Sequence, residues 1–383
     1  MPKEVYVSSK VSAENQERNK IQEQSNNQEK NINHMQNKNQ EHLLTVDKLE
    51  VSFFTYAGEV KAVRNVSFSL DAGEVMGIVG ESGSGKSVSS YGIMGIIPEP
   101  GKVIHGQILF DGKDITKMSE KELLHIRGKE IGMIFQDPMT SLNPVFTIGN
   151  QIDETLKKHT YLNKEKRKRR VLELFQLVGI NQPEKRYYQY PHEFSGGMRQ
   201  RVMIAMALAC NPKILVADEP TTALDVTIQA QIIELMKNLQ LHLGMSIIFI
   251  THDLGVISEI CNKVAVMYAG NIVEAGSIDD IFYQPKHPYT WGLLQSIPRI
   301  NHKEHQRLIP IEGNPVDLIH PPVGCAFAPR CKHCMKICLT KEPPLCTISQ
   351  GHKTFCWLVV KERYDKEGIL YESCQTGEFA GDH

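Results

Sequence analysis

No stretch of this 383-residue chain is apolar enough to suggest a membrane span. The longest such run, Val202 to Cys210, falls well short of the roughly 20 residues that a bilayer requires. The N-terminus also lacks the apolar segment of a secretion signal, running through Glu, Gln, Asn and Lys from about Ser12 to Glu41, so the chain is expected to stay in the cytosol. Charge of one sign is missing too: 43 basic against 44 acidic residues give a net charge of -1, which sets up no global field toward nucleic acid or anionic lipid. Aromatic side chains make up only 7%. Residues 1–41 hold almost no aromatic or branched apolar side chains after Val11, too few to offset the entropy of ordering, and read as a disordered polar tail. Disulfides are not expected from nine cysteines in a reducing compartment, and the crowding of six between Cys325 and Cys356 points instead to a metal centre.

What is present is a core. With 41% hydrophobic residues the chain can bury one large core and one smaller, so two ordered units are expected. From Leu43 short apolar runs bounded by Gly, Asp and Asn begin, Leu49 to Phe54 and Val63 to Leu70, which read as antiparallel strands. Val75 to Val79 reads as a buried strand opening into a glycine loop, and from Lys86 the apolar spacing is helical. Similar strands recur at Ile131 to Phe135, Ile214 to Ala217 and Ser246 to Ile250, separated by helical stretches such as Val226 to Leu243, which predicts an α/β fold with a parallel sheet. Helical periodicity between Thr147 and Val178 predicts a helical insert, set at about residues 137–212, as a docking surface. Its basic run Lys164 to Arg170 reads as a solvated helix face or a lipid contact, with no interleaved aromatics for base stacking. Pro285-Lys-His-Pro288 breaks the chain before a Tyr289 to Ile297 helix, placing a boundary near 285. The Pro-rich segment 286–383 then predicts an irregular module in which cysteine ligation replaces a large core.

The chemistry is concentrated in three motifs in fixed order. Gly80-Glu81-Ser82-Gly83-Ser84-Gly85-Lys86-Ser87 is a complete phosphate loop in its required setting between strand and helix. Residues without Cβ let backbone N–H groups point at phosphate oxygens at the positive end of a helix, while Lys86 supplies a full charge and Ser87 a hydroxyl for Mg²⁺. Asp218 ends the apolar run Ile214 to Ala217, where holding magnesium gives an acid a reason to be, and Glu219 is placed as general base on the attacking water. Ser195-Gly196-Gly197 opens another helix as an anion-receptive terminus with no phosphate loop of its own, so it needs a phosphate brought from elsewhere. ATP hydrolysis is the expected reaction.

Over about residues 42–285 these motifs resemble the nucleotide-binding subunit of an ATP-binding cassette transporter. The resemblance implies a P-loop cassette: a RecA-like parallel-sheet core with an antiparallel β subdomain and a helical subdomain. It further implies that the Ser-Gly-Gly element of one subunit closes over the γ-phosphate held by the other. Phe53 then matches the aromatic that stacks on adenine, with Phe54 and Tyr56 as rivals; Gln136 matches the residue sensing magnesium and the attacking water; His252 matches the switch histidine; Asp225 matches the loop that crosses the dimer. The signature reads Phe194-Ser-Gly-Gly-Met198 in place of Leu-Ser-Gly-Gly-Gln, so the two composite sites of a dimer need not be equivalent.

Ser141-Leu-Asn-Pro144, Met198-Arg-Gln-Arg201, Tyr283-Gln-Pro285 and His287-Pro-Tyr289 resemble the oligopeptide and dipeptide importer branch, whose relatives also move nickel and other small solutes. The resemblance implies as partners a paralogous ATPase subunit of the F type, two transmembrane permease subunits and an extracytoplasmic peptide-binding protein, at the cytoplasmic face of the cell membrane. Cys325, Cys331, Cys338 and Cys356 resemble that branch's ligands to a [4Fe-4S] cluster; Zn²⁺, with His333 or His352 able to join, and no metal at all remain alternatives. Cys334 and Cys346 are extras in this pattern, and Cys210, Cys261 and Cys374 read as ordinary small side chains. The stretch Gly313 to Asp317 resembles a segment shaping an extra face of the ATPase dimer. Two rivals are a soluble nucleic-acid ATPase, disfavoured by the single phosphate loop and neutral charge, and a binding-only cassette, disfavoured by intact Glu219.

Overall fold

The computed structural model describes residues 42–222, 224–296 and 310–367. The polar tail 1–41, the end of the expected helix at Ile297, and Cys374 lie outside them. In chain order the strands are β1 (Leu44–Thr55), β2 (Gly58–Leu70), β3 (Val75–Val79), β4 (Gly101–Phe110), β5 (Lys113–Asp114) and β6 (Ile131–Ile134). They continue with β7 (Ile214–Asp218), β8 (Ser246–Thr251), β9 (Lys263–Tyr268), β10 (Asn271–Ser277), β11 (Leu345–Ser349) and β12 (His352–Phe355).

β2-β1-β4-β5 form an antiparallel sheet, in which Leu44 faces Leu70, Val46 faces Phe68 and Val51 faces Val63. Buried and part-exposed side chains alternate over much of β1, as a sheet covered on one face requires. The larger sheet runs β11-β12-β10-β9-β3-β8-β7-β6, and its members β9, β3, β8, β7 and β6 are parallel. Every residue of β3, β7 and β8 is buried, because this sheet is covered on both faces. The two-residue period of a strand divides those side chains between two cores. Ile247 and Phe249 of β8 join a core with the helical layer, whereas Ile248 and Ile250 join a core with the antiparallel sheet.

Residues 137–212 contain the helices Ile148–His159, Lys164–Leu177 and Gly196–Ala207. In its basic run Arg167 grips Asp153 at 2.8 Å, Lys168 donates to the Tyr188 hydroxyl at 2.9 Å and Arg170 to Asn211 at 2.6 Å. Much of that charge is therefore used inside the insert.

Among the described residues from Leu43 on, those beyond 285 pack in one compact unit with those before it. The β11–β12 hairpin extends the main sheet by pairing with β10, Glu274 opposite Thr354. Glu274, fully buried on β10, interrupts the apolar pattern that would otherwise have announced this strand. Its carboxylate accepts from the Lys286 and His287 amides at 2.6 and 3.0 Å and meets His352 Nε2 at 2.9 Å, so the buried charge is satisfied. His352 also lies 3.6 Å from Asp280, which commits it to this cluster rather than to the cysteines.

Candidate active site

The phosphate loop joins β3 to the helix Lys86–Met94 at the C-terminal end of the parallel strands, where α/β sheets open crevices. Gly85 has φ of 100°, and a Cβ there would sit 2.5 Å from the Ala62 carbonyl oxygen, so only glycine permits this turn. Ser82 and Gly83 are exposed, whereas Gly80, Ser84 and Gly85 are buried. Lys86, buried, donates to the carbonyls of Gly80 and Glu81 at 2.9 and 3.0 Å. Burial lowers its pKa, opposed by the carboxylates of Glu219, Asp218 and Glu81.

Ser87 Oγ donates to Asp218 Oδ1 at 2.9 Å, joining the loop to the end of β7. The other oxygen, Asp218 Oδ2, is buried with no hydrogen-bond partner. Burial raises the Asp218 pKa to about 6, against the Ser87 hydrogen bond, which lowers it. A buried carboxylate oxygen without a donor is the kind of group a cation satisfies.

Glu219 follows in the left-handed region, with φ of 47°, and its amide donates to the Ile250 carbonyl at 2.9 Å. Its Oε2 accepts from Gln136 Nε2 at 3.0 Å and from Thr222 Oγ1 at 2.9 Å, and its Oε1 lies 3.4 Å from His252 Nδ1. Gln136, Glu219 and His252 are thus brought together beside the loop. Thr222 was missed by the sequence reading; its position three residues after Glu219, within the following turn, is the signal that could have found it.

Other expected residues stand apart. Ser195 caps the helix Gly196–Ala207 by accepting from the Met198 amide at 3.4 Å, and Ser195 and Gly196 are exposed. Among the described residues no hydrogen bond links this triplet to the loop of the same chain. Asp225 caps the helix Val226–Leu243, accepting from the Ile228 amide at 2.9 Å. Phe53 is only half-buried, its ring near Gly101 in the antiparallel sheet; Phe54 and especially Tyr56 are more exposed.

Two residues beyond 285 reach the loop. The Tyr289 hydroxyl accepts from the Glu81 amide at 2.8 Å, and Arg330 holds the Glu81 carboxylate at 2.6 and 3.0 Å.

Cys325, Cys331, Cys338 and Cys356 line one small cavity with His287, His333 and Trp357, while Cys334 and Cys346 do not. Burial pushes the Cys325 thiol up to about 11 and Cys356 to about 12. Among the described residues no group of three or more His, Cys, Asp or Glu side chains is arranged to hold a metal ion, so the expected metal centre has no preformed ligand set. No helix among the described residues is long and apolar enough to cross a membrane.

A phosphate loop facing an Asp-Glu strand end, with an antiparallel sheet and a helical insert around it, defines an ATP-binding cassette ATPase. Residues 63–222 match the family described as ABC transporter, and residues 273–338 match the oligopeptide/dipeptide transporter C-terminal region. The chain is 60% identical over 318 residues to the oligopeptide transport ATP-binding protein OppD of Bacillus subtilis, covering 83% of this chain and 89% of that one. It is 54% identical over 319 residues to the dipeptide transport ATP-binding protein DppD of the same organism, covering 83% and 95%. Among solved structures it is similar to the dimeric post-hydrolysis state of the cassette MJ0796 bound to ADP and Pi, with a TM-score of 0.56 and 28% identity, covering 61% of this chain and 98% of that one. The chain belongs to the oligopeptide/dipeptide branch of the ABC transporter ATP-binding proteins.

Proposed function

We propose that this chain is the ATP-hydrolysing subunit of an importer for oligopeptides or dipeptides, held at the cytoplasmic membrane face by two permease subunits that its helical insert, about 137–212, contacts. An extracytoplasmic binding protein delivers the peptide. A paralogous ATPase subunit completes the pair, and its phosphate loop faces Ser195, Gly196 and Gly197 of this chain. The relatives at 60% and 54% identity, an oligopeptide and a dipeptide transport ATP-binding protein, support the substrate class.

In the mechanism the loop Gly80 to Ser87 cradles the triphosphate and Lys86 turns from the Gly80 and Glu81 carbonyls to the β and γ oxygens. Phe53 stacks on adenine. Ser87, Asp218 and Gln136 would hold Mg²⁺, a role supported by the orphaned Asp218 Oδ2 beside the Ser87 hydroxyl. Bound there, magnesium supplies charge neutralisation for the β and γ phosphates. Glu219 takes the proton of the attacking water; Gln136 and Thr222 aim its carboxylate, and His252 meets the γ-phosphate. Asp225 lies at the crossing between subunits.

The convergence of Gln136, Thr222 and His252 on Glu219 carries this reading. Turnover of the reconstituted complex falls about 10²–10⁴-fold in Glu219→Gln, the contribution of a positioned general base, while ATP affinity persists. Unchanged turnover removes Glu219 from the mechanism.

For the segment beyond 285 we further propose that Cys325, Cys331, Cys338 and Cys356 close on a [4Fe-4S] cluster. The support is that these four line the cavity while Cys334 and Cys346 lie off it, and that His352 is engaged by Glu274. Soft thiolate donors, formed as the four cysteines give up their protons, suit such a cluster, which would brace the irregular 310–344 segment. Iron, sulfide and zinc analysis after anaerobic purification tests this: about four irons and four sulfides per chain support it, and zinc or neither overturns it.

A further inference from the structure

We propose that Arg330 is a positioning residue for the phosphate loop, holding Glu81 so that the loop is set before nucleotide arrives. This rests on the ATPase reading above. Glu81 is the first residue after Gly80 and is held on every polar group: its carboxylate by Arg330 Nη1 and Nη2 at 2.6 and 3.0 Å, its amide by the Tyr289 hydroxyl at 2.8 Å, its carbonyl by Lys86 at 3.0 Å and the Ser84 amide at 3.2 Å. One residue therefore joins the phosphate-binding lysine to two side chains more than 200 positions away.

Arg330 is itself fixed. Its Nε donates to the Glu312 carbonyl at 3.0 Å and Nη2 to the Ile311 carbonyl at 3.1 Å, and the guanidinium lies 5.8 Å from the Tyr268 ring centroid. Tyr268, Tyr289 and Phe327 pack ring against ring behind it, with centroids 4.7 to 5.3 Å apart. The side chain is 4% exposed, so the fork meets Glu81 in a partly dry setting where a two-point ion pair sets orientation as well as distance. Rotation of Glu81 would carry away the carbonyl that orders Lys86. A loop ordered in advance spends less binding energy on its own arrangement, so loss of the clamp falls on nucleotide affinity.

The test is a double-mutant cycle on the assembled complex, with Arg330→Gln, Glu81→Gln and the double variant, measuring ATP affinity, KM and kcat together with melting temperature. Each single variant should raise the dissociation constant and KM for ATP about tenfold while kcat changes less than about threefold. The double variant should be no worse than either single one, and Arg330→Lys should fall between them and the wild type. Glu81→Gln keeps the side chain's shape and carries the test if Arg330→Gln does not fold. Additive effects, or a lowered melting temperature with unchanged KM, overturn the proposal and leave a structural brace. A wild-type complex that does not hydrolyse ATP would instead overturn the underlying function.

Discussion

Two glycine-rich segments each open a helix, and their surroundings differ in almost everything else. Gly80 to Ser87 is enclosed by its own chain: Lys86 is buried, Ser87 is tied to Asp218, and Glu81 is clamped by residues from beyond 285. Ser195 to Gly197 is turned outward, with Ser195 and Gly196 exposed and, among the described residues, no carboxylate as a hydrogen-bond partner. The first is a finished half-site. The second is an exposed helix terminus, which the function proposed above assigns to a partner's phosphate. One fold holds both because a helix N-terminus attracts phosphate wherever it occurs, and only the neighbouring groups decide whether it can do so alone.

Substitutions can break that contrast. The largest effect is expected for Lys86→Ala, which removes the loop's only positive side chain: turnover of the complex should fall about 10²–10³-fold, with ATP binding to the lone chain weakened, as measured by nucleotide titration. Gly196→Glu should instead leave ATP binding to the lone chain within about twofold while lowering turnover of the complex about 100-fold, because the damage falls on the partner's phosphate. If both variants lose binding in the lone chain, the two segments do not divide the work in this way.

A smaller effect belongs to Asp218. Its folded pKa is raised by burial to about 6, so the stability it contributes without ligand is full at low pH and is lost as pH rises through 6. Magnesium needs the ionised form, so Mg²⁺-nucleotide affinity should climb about tenfold per pH unit below pH 6 and level off above it. Asp218→Asn should flatten that profile, which titration at several pH values would reveal. The smallest expected effect is Asp225→Ala, about 1 kcal/mol of stability from the lost helix cap, read by chemical denaturation. Asp225→Asn keeps the cap, so any fall in turnover it causes isolates a role between subunits.

The local half of this architecture was legible in the sequence. β3 running into the loop, Asp218 and Glu219 closing a buried strand, and the helix Val226–Leu243 are each written in a few consecutive residues with a recognisable period. The distant half was not. β10 was obscured by Glu274, an acid placed where the pattern wants an apolar side chain, whose justification lies at Lys286, His287 and His352. The segment beyond 285 looked like a separate unit because its prolines announce irregular backbone, and nothing nearby says that its hairpin pairs with β10 or that Arg330 seeks Glu81. Four cysteines spaced along 32 residues could be grouped, and the structure gathers them around one cavity. Their spacing does not identify what they hold.

The separation of Glu81 and Arg330 by 249 positions also has a consequence for biosynthesis. At a ribosome's pace of about 5–20 residues per second, the nascent loop emerges on the order of ten seconds or more before its arginine is made. A product ending between His252 and Arg330 would carry every nucleotide-binding motif and still lack the grip on Glu81.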